Sequence, residues 1–70
     1  MKIEVGKTYI NNRGDEVKII AMLDNPITDF YGLVGIETLY GGLARVVEFG
    51  YDGLFLGYKD HGASLKEEKR

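Results

Sequence analysis

Apolar and polar positions alternate along this chain in short runs of period two, with no sustained helical period. Lys7-Thr8-Tyr9-Ile10 is entered through Gly6 and left through Asn11-Asn12-Arg13-Gly14-Asp15, a dense turn signal. In Glu16 to Leu23, Val17, Ile19, Ala21 and Leu23 share one face. The other face begins polar and ends in Ile20 and Met22, as in a strand that becomes covered on both sides. Tyr31 to Thr38 reads as a third strand, where Gly32 and Gly35 predict a sharp bend or the close approach of another backbone. Gly41-Gly42 turns the chain into Leu43 to Phe49, and the hairpin pair Asp52-Gly53 turns it again into Leu54 to Tyr58. Such runs recur about every ten residues, the spacing of a small sandwich or barrel.

The expected fold is all-β, a small SH3-like barrel of about five short antiparallel strands spanning residues 1–65. An OB-fold fits less well, since it usually needs a longer chain and often a helix between strands. Pro26 places Asn25 in extended backbone inside the one proline loop, Asp24 to Asp29. Ser64 and Glu67 have capping-box spacing, but too little chain follows to sustain a helix. Residues 66–70, Lys66-Glu67-Glu68-Lys69-Arg70, therefore read as a frayed charged tail.

Seventy residues make one domain with a thin core, burying roughly 60–65% of the surface that the unfolded chain exposes. There is no cysteine, so neither a disulfide nor a thiolate zinc site staples it, which fits a reducing compartment. The N-terminus lacks a secretory apolar stretch, and no run approaches the ~20 apolar residues of a membrane helix. A soluble, cytoplasmic protein with no membrane partner is expected. Nine basic against eleven acidic residues give a net charge of -2, which suits neither the neutralisation of phosphates nor the mimicry of DNA. Nucleic acid is thus a disfavoured partner. A thin core gains from self-association, which favours a homodimer, and an exposed edge strand pairing to another copy would give the chain a structural role as a third option.

Catalytic chemistry finds little to work with. His61 has no cysteine to activate, and its neighbours Asp60 and Ser64 are adjacent in sequence, whereas triads are built by tertiary geometry. Asp24, Asp29, Asp52 and Asp60 sit in separate loops without calcium-loop spacing and read as turn residues. Arg13-Gly14-Asp15 reads as a hairpin turn. Gly50, Gly53 and Gly57 lack the Gly-Lys-Ser/Thr ending of a phosphate loop. No enzyme activity, metal or cofactor is expected.

Glu48 to Gly62 packs four glycines and four aromatics into fifteen residues, in a chain with five tyrosines and three phenylalanines. So many aromatics exceed what a thin barrel can cover, and aromatics are enriched in interface cores. A partly exposed protein-binding patch is expected from Tyr31, Tyr40, Tyr51, Phe55 and Tyr58, with Arg45 at its rim. Asp52, Glu37 or Glu48 would face a basic site on the partner.

Val5-Gly6-Lys7-Thr8-Tyr9 with Arg13 to Ile20, and later Phe49-Gly50-Tyr51-Asp52-Gly53-Leu54-Phe55, resemble segments of small SH3-like domains encoded by bacteriophages and prophages. The resemblance implies a phage origin and a protein that binds and blocks a host or phage protein stoichiometrically, components of bacterial immunity included. Gly14 to Ile20 with Tyr31 to Ile36 is also similar to the KOW motif, without its glycine at Met22-Leu23 and without its basic surroundings. That likeness implies the alternative, a KOW- or OB-type module on nucleic acid or ribosomes using Lys7, Arg13, Lys18 and Arg45.

Overall fold

In the computed structural model, which describes all 70 residues, the chain forms five antiparallel strands in one sheet. β1 is Thr8–Asn11, β2 Glu16–Met22, β3 Leu33–Thr38, β4 Ala44–Phe49 and β5 Leu65–Glu68, lying side by side as β4-β3-β2-β1-β5. A single 3-10 turn at Asp29–Tyr31 leads into β3, and a glycine turn at Tyr40–Gly42, with Gly41 and Gly42 at positive φ, leads into β4. β1 to β4 form a meander, and residues 50–64 then carry the chain across to set β5 against β1.

Alternation delivers Tyr9, Val17, Ile19, Leu33, Val47, Phe49 and Leu65 to one core, closed by Ile3 and flanked by the partly buried Phe55. The Tyr9 hydroxyl accepts from the Glu4 amide at 2.8 Å and donates to the Lys2 carbonyl at 3.2 Å, so the N-terminal segment is held where Ile3 is buried. Gly35 is needed for close approach: a Cβ there would stand 2.9 Å from Val17 Cγ1 and 3.1 Å from the Lys18 carbonyl. The accompanying bulge falls on β2, where Ile19 pairs with Gly35 and Ala21 with Val34, leaving Ile20 as the extra residue. Burial still alternates along β2, and Ile20 and Met22, on the face away from the core, stay 47% and 48% exposed rather than covered as expected.

β4 and β5 are the two edges, and no ladder joins them, so the sheet is not closed into a barrel by hydrogen bonds. At one end the Gly50–Leu54 turn spans the gap. The Gly50 amide donates to the Leu54 carbonyl at 3.1 Å, and the Leu65 amide to the Gly53 carbonyl at 2.9 Å.

Two expectations are corrected here. Leu54 to Tyr58 is not a strand: Leu56 and Gly57 both adopt positive φ (51° and 78°), and the Tyr58 amide bonds back to the Phe55 carbonyl. That is a primed tight turn, with a lone bridge between Phe55 and Tyr58. The fifth strand is instead the charged segment expected to fray. Leu65 anchors it in the core, and its charges meet partners on the sheet, Glu68 with Lys7 at 3.7 Å and Lys69 with Glu16 at 2.9 Å.

These contacts make residues 66–70 structural. Truncation after Leu65 keeps the core side chain but strips β1 of its neighbour, and it should lower unfolding stability by about 2 kcal/mol, at ~1 kcal/mol per net hydrogen bond lost. Urea unfolding of the two chains measures this; equal midpoints would return the segment to the status of a tail.

Candidate functional site

The most constrained group in the molecule is a carboxylate. Glu37 lies on the core face of β3, fully buried, with its oxygens bound by three side chains from neighbouring elements. Oε2 accepts from Asn11 Nδ2 at 2.5 Å and Arg13 Nη2 at 3.0 Å, and Oε1 accepts from Arg45 Nε at 2.6 Å. Burial pushes the carboxyl towards its neutral form, and the two guanidiniums outweigh that push, holding it below the ordinary carboxylate range. Glu37 is therefore not free to face a partner's basic site, as the sequence reading allowed.

Asn11 joins this ion cluster to the β1–β2 turn, because its Oδ1 accepts from the amides of Arg13 and Asp15 at 3.0 and 2.9 Å. The Arg13 stem then lies over Gly62, where a Cβ would come 2.8 Å from Arg13 Cγ. The same turn grips the segment beyond the tight turn: Asn12 Nδ2 donates to the carbonyls of Lys59 and His61 at 2.9 and 2.8 Å. Ser64, buried, finishes the clamp by accepting from the Phe55 amide at 2.8 Å and donating to the Tyr58 carbonyl at 2.6 Å. Its hydroxyl is thus committed to backbone and not to His61, whose Nδ1 accepts from the Ala63 amide at 3.0 Å.

Between β4 and this clamped segment runs an open groove of about 560 Å³. Arg13 and Arg45 stand at the ion cluster, while Tyr31, Val46, Phe55 and Leu56 supply apolar wall and Glu48 also contributes to the lining. The His61 ring lies 4.5 Å from that of Phe55, centroid to centroid, and stiffens the wall opposite β4. Leu56 is the chain's only non-glycine residue with positive φ, a strained conformation of the kind that concentrates at functional sites.

Of the residues expected to form one patch, Tyr31, Arg45 and Phe55 meet in this groove. Tyr51 and Asp52 lie in a separate, smaller hollow with Phe30 and Gly57. There the Tyr51 ring covers Gly32 and its hydroxyl donates to the Leu23 carbonyl, while Asp52 Oδ1 accepts from the Leu54 amide at 3.0 Å. Tyr40 is 99% exposed beside the β1–β2 turn, and Tyr58, 65% exposed, lines no hollow. Sequence reasoning missed Leu56, Val46 and the role of Glu37. The signal for Glu37 was its position in phase with Leu33 and Gly35, an acidic residue on an otherwise apolar face.

The cluster makes stability depend on acid. Because the carboxyl is held below its ordinary value in the folded state, its contribution is complete above the unfolded carboxylate pKa, about 4.3, and is lost as pH falls through the lower folded value. Glu37→Gln should cost roughly 2–4 kcal/mol at neutral pH and flatten this acid limb, the half-exposed arginines keeping the cost below that of a dry pair. Urea unfolding from pH 7 to 3 tests it, and an unchanged acid limb in the variant would contradict the assignment. No protein-family model, curated protein or solved structure matches this chain.

Proposed function

We propose that this chain is a non-catalytic protein-binding domain, an SH3-like barrel left open along one seam, whose β4 groove docks a protein partner stoichiometrically and blocks it by occlusion. The observation that carries this reading is the groove itself. It has an apolar side chain, Leu56, carried on strained backbone in a clamped turn facing an exposed strand, with Tyr31 and Phe55 beside it and two arginines at one end. The strand order β4-β3-β2-β1-β5 around one core supports the barrel architecture. The likeness of residues 5–9, 13–20 and 49–55 to phage and prophage domains supports a host protein, a component of bacterial immunity among them, as the target.

The nucleic-acid alternative draws on Lys7, Arg13, Lys18 and Arg45. Three of these four already face carboxylates: Lys7 meets Glu4 and Glu68, and both arginines meet Glu37. Lys7 and Arg13 are thus largely neutralised, and the terminal donors that Arg45 keeps free offer a single contact rather than the run of cations that phosphates need, which favours the protein partner.

Leu56→Asn separates binding from folding, since asparagine tolerates positive φ and lacks the apolar side chain. The variant should unfold at the same or higher urea concentration. In a tagged pull-down from bacterial lysate with nuclease, it should lose a protein that the wild type retains stoichiometrically, a weakening of more than 1 kcal/mol if Leu56 is a hot spot. Retention of only ribosomal or nucleoid material, released by nuclease, would replace this reading with the alternative.

A further inference from the structure

β4 is an edge strand with β3 as its only neighbour. Its hydrogen-bond phase is fixed at both ends. The Leu39 amide donates to the Leu43 carbonyl at 2.6 Å, so Leu43 and, by alternation, Arg45, Val47 and Phe49 bond towards β3. The Gly50 amide points the other way, to Leu54. Ala44, Val46 and Glu48 therefore present their N–H and C=O groups to the groove, and none of the three takes part in the backbone bonds made outside the strands.

A row of unpaired backbone groups is a template for another strand. This one lies where the Gly50–Leu54 pairing has begun to close the seam and the chain then swings away through the Leu56-Gly57 turn. The opposite wall, Phe55, Leu56 and His61, is fixed by Ser64 and Asn12, so the space beside β4 is bounded on both sides. From Ala44 to Glu48 the edge runs roughly 13 Å, room for four or five extended residues.

The ends of the groove differ in charge. Arg45 spends only its Nε on Glu37, and its terminal nitrogens have no protein acceptor on a side chain that is 50% exposed. Glu48, exposed, lies three residues further along the strand. A guanidinium with its terminal donors free is matched by a carboxylate.

We propose that the β4 edge, through Val46 and Glu48, takes an extended segment of the partner protein as a sixth strand, with an acidic side chain of that segment on Arg45. The proposal rests on the protein-docking reading above and names its mode. A second copy of this chain would have to bring its own clamped turn against the same wall, which the bounded groove opposes.

The test uses random twelve-residue peptides displayed for selection on the full chain. Enriched peptides should alternate apolar and polar positions around an Asp or Glu, and changing that residue to its amide should weaken binding about tenfold. In the complex, hydrogen exchange at the Val46 and Glu48 amides should slow at least tenfold. Val46→Pro removes an outward N–H and no bond to β3, and it should weaken binding at least tenfold while unfolding remains cooperative. If proline disturbs the strand, a synthetic chain with N-methyl Val46 replaces it. Peptides that bind without protecting these amides would overturn strand addition and leave protein docking standing. Failure to enrich any peptide would also overturn it, as would protection that appears in the free protein with rising concentration, which would assign the edge to a second copy.

Discussion

The Glu37 carboxylate is the point at which three separate parts of the chain are tied together. Asn11 ends β1, Arg13 belongs to the following turn and Arg45 lies near the start of β4; the first two donate to Oε2 and Arg45 donates to Oε1. A lone buried carboxylate would be intolerable in so thin a core, and the cost of desolvating it is met by bonds that only this arrangement of strands can supply. Apolar residues of similar volume can give equal stability, but they would not fix the β1–β2 turn against β3 and β4 in one geometry. The cluster also governs the groove, because it sets the direction of Arg45 and holds the Arg13 stem over Gly62.

From that turn the constraint passes outward. Asn12 and Ser64 bind the backbone on either side of the Leu56-Gly57 turn, so a segment without regular secondary structure is nevertheless held at both ends. The sheet curls far enough for the Gly50–Leu54 turn to bridge its edges at one end, and no further. Gly53 is the tightest point of that bridge: its φ is +81°, and a side chain would collide with Ile3 and crowd Leu65. What remains between β4 and the clamped segment is the gap in a sheet that hydrogen bonds do not close, and that gap is the groove.

Much of this was legible in sequence. Period-two alternation located β1 to β4 within a residue or two, and Gly35 correctly marked a close approach, since those signals are local. The fifth strand was not, for two physical reasons. Leu54, Leu56 and Tyr58 alternate like a strand, but a leucine in the left-handed region turns the chain instead, and nothing in the residue type announces that. Leu65 to Glu68 looks like solvated tail because its partners, Lys7, Glu16 and the free edge of β1, are about fifty residues away in sequence. The aromatic surplus was real, yet counting aromatics could not distinguish Tyr51, which seals Gly32, from Phe55, which forms groove wall.

An open edge strand is ordinarily a hazard that proteins blunt with lysine, proline or a bulge. β4 carries none of these. Its sequence, Ala44-Arg45-Val46-Val47-Glu48-Phe49, is apolar and β-branched at the centre, and Val46 is 63% exposed. The register shifts that this sheet does contain fall on other strands, at Ile20 of β2 and at Lys66 of the opposite edge strand β5, and neither blunts β4. The free edge is screened by the clamped turn and by its own charges, Arg45 and Glu48, with backbone strain at Leu56 of order 1 kcal/mol. Asparagine or glycine would relieve that strain, and an ordinary hairpin would place one of them there. On the strand-addition proposal, a leucine kept in that conformation, facing unpaired backbone across a groove, holds the edge open for an incoming chain rather than merely shielding it.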